Sequence, residues 1–595
     1  MPSYPSPTSF AARRSAIAGL TRIATCLPLF VPNSTWNSSR LLARNALRNP
    51  EGLAIAFEDR RYSWAELDRE VNRYAQALRK LGVAQGDVVA LLMDNRPEFL
   101  MVLTAIARLR ATSALINTNI TGVGLVHAIR ISKAKRVLVG IEHESNLREI
   151  LGELEEIEAG DALGVGDGPD SPASQLPAFE ETLAAVEGTP PSGVGDSRVS
   201  EHFTYIYTSG TTGLPKAAII SHAKLLTAGS LFGRGIYNAR SGDVIYSPLP
   251  LYHSSAMFGG WMAALISGAA YAFRRKFSAT KYWDDVRKFG ATHLLYIGEL
   301  CRYLLNQPVR EGEREHNVRI ASGNGLRPDI WETFQERFGI PLIREFYGAT
   351  EGNLPTINFA GIPGMVGRIN PGQTLIRCDL ETGDIYRNAE GHCEAVKEGE
   401  TGLLLMRISK IAKFDGYLDK AASNKKILED AFEEGDRHFN SGDLLTLHAG
   451  NWLSFADRIG DTFRWKGENV STNEVAEALN SALGILETNV YGVEVPGADG
   501  RAGMASLNVS DEFSLDAFTE HVQKNLPVYQ RPYFLRIQHD MRITGTFKHQ
   551  KVDYRKEGFD PGKVNDPMYF LDGDKYVPLD AMLFESLQSG STTLR

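Results

Sequence analysis

The chain has 595 residues, 43% of them hydrophobic and 23% charged, with a formal net charge of −8. That balance fits a globular protein with a large core, and it excludes a disordered chain or a sequence-wide basic field of the kind nucleic acid attracts. Cys26, Cys301, Cys378 and Cys393 lack CxxC spacing and the thirteen histidines lack an HExxH pattern, which excludes a disulfide scaffold and the common zinc signatures and fits a reducing, cytoplasmic setting.

Residues 1–35 read as an extension. Arg13 and Arg14 precede an apolar stretch, but Arg22 interrupts it and no small-residue cleavage site follows, so a secretory signal does not fit. Ile17, Leu20, Ile23 and Leu27 fall roughly on one helical face between arginines, the pattern of a helix lying on an anionic membrane surface. A frayed end packed loosely on the domain is the alternative, so peripheral contact with the cytoplasmic membrane face stays an open reading.

From Trp36 onward, helical and strand patterns alternate. Trp64–Leu81 has helical periodicity, Asp87–Met93 reads as a buried strand, Glu98–Leu109 as a helix and Arg136–Val139 as a short strand. Such alternation predicts an α/β fold of parallel sheets covered by helices. Between Gly152 and Ser200 the acidic, Gly-, Pro- and Ser-rich sequence predicts a surface excursion with one short helix near Glu180. Ser254–Phe273 is uncharged and ends in Arg274-Arg275-Lys276, superficially a membrane span with a basic stop. Its Gly, Ala and Ser content predicts a buried core segment instead, and the three cations read as a solvated face. After Asp457 the chain becomes more charged and its units shorten, which predicts a small C-terminal domain.

The most informative segment runs from Tyr205 to Ile220. A β-rich run feeds a loop holding Gly210, Gly213 and four hydroxyl residues, and Lys216 follows. Glycines let backbone approach a polyanion, Thr208, Ser209, Thr211 and Thr212 can donate to phosphate oxygens, and Lys216 is a mobile cation. A Walker loop needs Gly before the lysine and Ser or Thr after it, whereas Pro215 and Ala217 stand there. The pattern therefore predicts a triphosphate-binding loop between two strands, with a polar hairpin turn as the plain alternative.

At this loop the chain resembles the adenylate-forming superfamily of acyl-CoA synthetases, luciferases and peptide-synthetase adenylation domains. The resemblance extends from roughly Trp36 to Gly558 through LPLYHSS (Leu249–Ser255), SGNGL (Ser322–Leu326), FYGATEGN (Phe346–Asn353), NSGDLL (Asn440–Leu445), DRIGDTFRWKGENVS (Asp457–Ser471) and TGTFKHQKVD (Thr544–Asp553). YGATEGN and DRIGDTFRWKGENVS look most like the branch of fatty-acid transport proteins and very-long-chain acyl-CoA synthetases.

The resemblance implies a large AMP-binding domain over residues 36–456, a hinge at 457–461 and a small, mobile, mixed α+β domain over 462–595. It implies ATP and Mg²⁺, with coenzyme A as co-substrate and a fatty acid as the acid activated. Glu351 would bind the metal and Thr350 the α-phosphate. Gly323, Asn324 and Tyr347 would lie against the nucleotide, Asp443 on the ribose hydroxyls with Arg458 in support, and His253 near the acyl carboxylate. Trp465, Lys466 and Gly467 would face coenzyme A. Taken alone, Glu351 could be a surface residue, Asp443 a turn residue and His253 a satisfied core histidine.

Two departures stand out. Relatives carry Ser/Thr-Gly-Lys near the C-terminus, whereas this chain has Thr546-Phe547-Lys548, so aligning the threonines makes Lys548 the adenylation lysine with Lys551 as its rival. At the pivot, relatives carry Asp or Lys where Gly460 stands, followed here by Asp461; glycine can absorb a large dihedral change. Rival functions are an adenylating ligase for a bile-acid-like or carnitine-like acid, a carrier-protein loader, and a lipid-uptake protein that traps its acid. Oligomeric state is open.

Overall fold

A computed structural model describes residues 9–594 except 159, 169–170, 209–213, 381, 411, 466–467, 497, 499, 543–550 and 593. Two compact units result: one of Met1–Gly325, Thr333–Ile362 and Lys410–Ile427, the other of Leu326–Glu332, Pro363–Ser409 and Leu428–Arg595.

The first unit is built on two mostly parallel sheets. An eight-stranded sheet runs in the order Thr356–Ile357, Ile343–Tyr347, Ile320–Asn324, His293–Ile297, Val244–Ser247, Ala270–Phe273, Leu53–Phe57 and Arg60–Ser63, with antiparallel pairs only at its two edges. A six-stranded sheet runs Ala162–Val165, Arg136–Gly140, Val88–Leu92, Thr112–Leu115, His202–Thr208 and Lys216–Ser221. Its strands are parallel except for the last, which pairs back as a hairpin.

These strands are near-continuous apolar runs because helices cover their faces. Helix Trp64–Lys80 starts in a capping box of Ser63 and Glu66, buries Trp64, Leu67, Val71, Tyr74 and Leu78, and packs on helix Pro97–Arg108. The four early elements thus lie where periodicity puts them.

Two stretches need comment. The Gly152–Ser200 excursion holds the expected short helix, Phe179–Ala184, but also the buried edge strand Ala162–Val165. Four small or branched residues between turns are too short a run for periodicity to separate from loop. Ser254–Phe273 is core, forming a π-helical turn (Ala256–Met262), a helix (Ala263–Ser267) and the strand Ala270–Phe273, almost wholly buried. No helix among the described residues is long and apolar enough to cross a membrane.

The second unit has an antiparallel sheet in the order Gly367–Arg368, Trp452–Arg458, Arg437–His448, Thr401–Arg407 and Gln373–Ile376. A second, five-stranded sheet runs Ile485–Glu494, Arg501–Val509, Phe534–Gln538, Met568–Asp572 and Lys575–Pro578. Helices Thr472–Asn480 and Leu515–Asn525 bury Val475, Leu479, Phe518 and Val522 in one core with Trp465, Tyr491, Phe534 and Tyr554. Residues 457–461, expected as a hinge, lie within this unit, which also takes in the antiparallel sheet that precedes them.

Candidate active site

In the first unit, strands His202–Thr208 and Lys216–Ser221 pair antiparallel with Thr208 opposite Lys216, so the loop between them is a strand-to-strand connection as its sequence predicts. Thr208 Oγ1 lies 3.4 Å from the Lys216 carbonyl oxygen, and the Pro215 carbonyl oxygen meets His127 Nε2 at 3.1 Å. Ser209, Gly210, Thr211, Thr212 and Gly213 lie outside the described residues.

The other motifs of this unit gather at the carboxyl ends of parallel strands, where open α/β sheets place ligands. Gly323 ends the buried part of its strand against Tyr296: a Cβ there would stand 2.3 Å from the Tyr296 carbonyl oxygen, so only glycine fits. Buried Glu345 accepts from Tyr296 Oη at 2.8 Å and from the Gly325 amide at 3.0 Å, fixing the loop after Asn324. The Asn324 Oδ1 atom is buried with no hydrogen-bond partner among the described residues, a polar atom left for something else to satisfy. Tyr347 ends the next strand and is buried.

Beyond Tyr347 the chain turns through the residues expected to meet phosphate. Thr350 and Ser254 share a hydroxyl–hydroxyl hydrogen bond of 2.9 Å, which joins the FYGATEGN turn to the LPLYHSS segment. His253, next to Ser254, is half-buried. Glu351 accepts from Tyr417 Oη at 2.7 Å through Oε1, with no further hydrogen bond to it among the described residues. Asn353 Nδ2 donates to the Ala412 carbonyl at 2.9 Å.

Three neighbours escape sequence reasoning. Tyr417 bridges to Ala218 in strand Lys216–Ser221, and Asp415 Oδ2 accepts from Ser221 Oγ at 2.8 Å. Lys224, in helix His222–Ser230, is half-buried as a residue, while its Nζ is enclosed and without a hydrogen bond among the described residues. Burial pushes its ammonium down to about 8, against the opposing pull of Asp415 and Glu351. A lysine one turn into a largely apolar helix is the only signal the sequence offers for it.

In the second unit Asp443 and Arg458 are cross-strand partners, with Arg458 Nε donating to Asp443 Oδ1 at 2.9 Å. Asp443 is 3% exposed and the Arg458 side chain 53%, so the pair presents a buried acceptor behind an accessible guanidinium. Asp457 is buried and accepts from the Thr472 amide at 2.8 Å, anchoring helix Thr472–Asn480. Gly460 has φ +86°, with open space where a Cβ would stand. Asp461 receives Arg555 at 3.0 Å and Lys551 at 3.5 Å. Trp465 is 1% exposed with its ring 5.1 Å from that of Tyr533, so its indole lies in the core of this unit. Lys466, Gly467 and Lys548 lie outside the described residues.

A strand hairpin carrying the Thr- and Gly-rich sequence, an acid-bearing turn at the carboxyl end of a parallel sheet and a β-rich C-terminal unit define an adenylate-forming ligase fold. The anthranilate CoA ligase AuaEII in complex with anthranoyl-AMP shares it: TM-score 0.76 at 22% identity, over 90% of this chain and 98% of that one. A fatty acyl CoA synthetase of Mycobacterium tuberculosis has a TM-score of 0.62, also at 22% identity, over 88% and 98%. Residues 42–418 match the AMP-binding enzyme family, and the chain belongs to it. Within it, the chain is 42% identical over 559 residues to long-chain fatty acid transport protein 2 of Rattus norvegicus, spanning 91% of this chain and 89% of that one. It is 37% identical over 563 residues to a medium/long-chain-fatty-acid–CoA ligase of Mycobacterium tuberculosis, spanning 94% and 92%.

Proposed function

We propose that this protein is an ATP-dependent fatty acid:CoA ligase, turning a long-chain acid, ATP and CoA into acyl-CoA, AMP and diphosphate through an acyl adenylate. The observation that carries this reading is the near full-length similarity to a named fatty-acid–CoA ligase. The transport names of the mammalian relatives favour a second, compatible reading, in which the same reaction draws acid into the cell by trapping it as a CoA ester.

Both the acid and ATP are anionic, so charge must be neutralised as the carboxylate attacks the α-phosphate. Lys216 and the hydroxyls of Thr208, Ser209, Thr211 and Thr212 hold the triphosphate, with Gly210 and Gly213 giving its oxygens room. Thr350, oriented by Ser254, donates to the α-phosphate. Glu351, with one oxygen on Tyr417, is a hard donor of the kind Mg²⁺ takes, and that ion supplies further positive charge at the phosphates. Gly323 and Asn324 lie against the nucleotide, Tyr347 stacks on adenine, and Asp443 accepts from the ribose hydroxyls with Arg458 holding its carboxylate. His253 sits by the acyl carboxylate, and Lys548 carries the charge of the adenylation step. Rotation about 457–461, absorbed at Gly460, then brings Lys466 and Gly467, beside Trp465, to CoA.

A pyrophosphate-release screen over acids of graded length, with and without CoA, tests the substrate. Long-chain acids are expected to support CoA-dependent AMP formation best. A preference for acetate or an aromatic acid overturns the chain-length reading and leaves adenylation standing.

Lys224 gives a second test. Its enclosed ammonium costs stability, and the neighbouring carboxylates of Asp415 and Glu351 are the groups its charge acts on. Lys224→Met is expected to leave the melting temperature unchanged or raised while lowering adenylation roughly tenfold, the loss of one charge-assisted contact. A lowered melting temperature with normal turnover would make the lysine structural.

A further inference from the structure

Two different sheets of the first unit supply the proposed site. The hairpin of His202–Thr208 and Lys216–Ser221 closes the six-stranded sheet, whereas Asn324, Tyr347 and the turn with Thr350 and Glu351 lie at the carboxyl ends of the eight-stranded one. Reacting groups carried on both are in register only if the sheets are. Asn95 joins the two sheets. It follows strand Val88–Leu92 of the six-stranded sheet and is 4% exposed. Its Nδ2 donates to the Leu249 carbonyl at 2.8 Å and the Arg274 carbonyl at 3.0 Å, and its Oδ1 accepts from the Leu251 amide at 2.7 Å. Leu249 and Arg274 follow neighbouring parallel strands of the eight-stranded sheet, Val244–Ser247 and Ala270–Phe273.

The grip of Asn95 falls on the LPLYHSS segment, on either side of Pro250. The Pro250 carbonyl accepts from the His253 amide at 3.1 Å, and the Ser254 hydroxyl meets that of Thr350 at 2.9 Å. The residues beside Asn95 tie it to its own sheet. The Asp94 amide donates to Glu142 Oε1 at 2.9 Å, Asp94 Oδ1 meets His143 Nε2 at 2.8 Å, and fully buried Arg96 donates to the carbonyls of Gly166 (2.6 Å) and Val165 (2.8 Å). Asn119, just past strand Thr112–Leu115 of the same sheet, adds a lesser link, its Nδ2 donating to the Tyr252 hydroxyl at 3.2 Å. At Asn95 a primary amide uses both of its donors and its acceptor. A carboxylate of the same shape could only accept, and would face two carbonyl oxygens.

We propose that Asn95 is a positioning residue for acyl adenylation. It holds the turn at 250–254, and through Ser254 the Thr350 hydroxyl, in register with the strands that flank the phosphate loop, with Asn119 as a weaker second hold. Its three hydrogen bonds all go to backbone, so it acts through the turn and not on the substrate. The proposal rests on the assignment of Thr350 to the α-phosphate and His253 to the acyl carboxylate. Misplacing a reacting group by about 1 Å can slow a reaction roughly 100-fold, so the register of turn and loop enters kcat.

Steady-state pyrophosphate release by the full chain tests it, with CoA and the preferred acid of the graded series, at a temperature where melting curves show each variant folded. Asn95→Asp keeps the shape and the acceptor for the Leu251 amide and loses both donations. Its kcat should fall by roughly 10- to 100-fold. Its KM for ATP should change by less than about twofold, because the triphosphate is held by the hairpin of the other sheet. Asn45→Asp removes a similarly buried donation, to the Leu265 carbonyl, and should lower the melting temperature while leaving kcat unchanged. Added to Ser254→Ala, Asn95→Asp should cost less than it does alone, since part of its effect passes through Ser254. Tyr252→Phe removes the Asn119 contact, keeps the ring, and should lower kcat roughly threefold, the scale of one neutral hydrogen bond. The proposal is overturned if Asn95→Asp behaves like Asn45→Asp or if the costs of Asn95→Asp and Ser254→Ala are independent. Should Asn95→Asp not fold, full kcat in Tyr252→Phe overturns it. Normal adenylation by Thr350→Val removes the Thr350 assignment and the proposal together. An impaired Thr350→Val beside a normal Asn95→Asp removes only the role of Asn95.

Discussion

Glu351→Gln is expected to lower Mg²⁺-dependent adenylate formation by roughly 10²-fold or more, the scale of removing a metal ligand or a principal charge stabiliser. The substitution keeps the shape and a carbonyl oxygen able to accept from Tyr417, so the turn itself should persist. It also strips a carboxylate from the surroundings of Lys224. Combining Lys224→Met with Glu351→Gln therefore separates a charge imbalance from a lost ligand: only the first would be rescued. Near-normal turnover at saturating MgATP would make Glu351 structural. The same variant divides the two readings of function, because uptake of labelled acid that survives Glu351→Gln cannot be driven by ligation.

Lys548→Ala should split the reaction into its halves. With fatty acid and ATP it should fail to form adenylate; with synthetic acyl-AMP and CoA it should make thioester at near wild-type rate. In the proposed mechanism the lysine is required only while charge builds at the carboxylate and phosphate. Its rival, Lys551, is committed elsewhere: its Nζ donates to Thr472 Oγ1 at 2.7 Å and lies 3.5 Å from Asp461, with the side chain 16% exposed. Thr472 Oγ1 in turn donates to Asp457 at 3.0 Å, so Lys551 supports the base of helix Thr472–Asn480. Lys551→Ala should accordingly lower stability by about 1 to 3 kcal/mol, the range for a hydrogen bond to a charged group, and slow both halves alike. If Lys551→Ala shows the clean split and Lys548→Ala does not, the alignment across the missing glycine is displaced by three residues.

The sequence alone determined what depends on local pattern. Apolar runs and helical periods located helices Trp64–Lys80 and Pro97–Arg108 and strands Val88–Leu92 and Arg136–Gly140, and Pro215 and Ala217 around Lys216 marked a connection between two strands in place of a Walker loop. Glycine, alanine and serine between Ser254 and Phe273, with the place of that stretch inside the domain the resemblance implies, read as core and not membrane, since close packing uses small residues.

Only the tertiary structure decided what depends on residues far apart in the chain. Tyr417 reaches Glu351 from 66 positions away, and the enclosure of Lys224 beside Asp415 and Glu351 leaves no periodic trace. Trp465, placed towards coenzyme A by motif, is core because the small unit closes around its indole. The first helix, Phe10–Ala24, shows the division most sharply. Its sequence sets an apolar stripe with arginines, but Ile23 leaves that stripe to pack at Gly235 while Ile17, Leu20 and Leu27 face outward. A hydrophobic pattern fixes which residues share a face; which face turns inward is set by shape, here by Gly19 making room for the Phe359 ring.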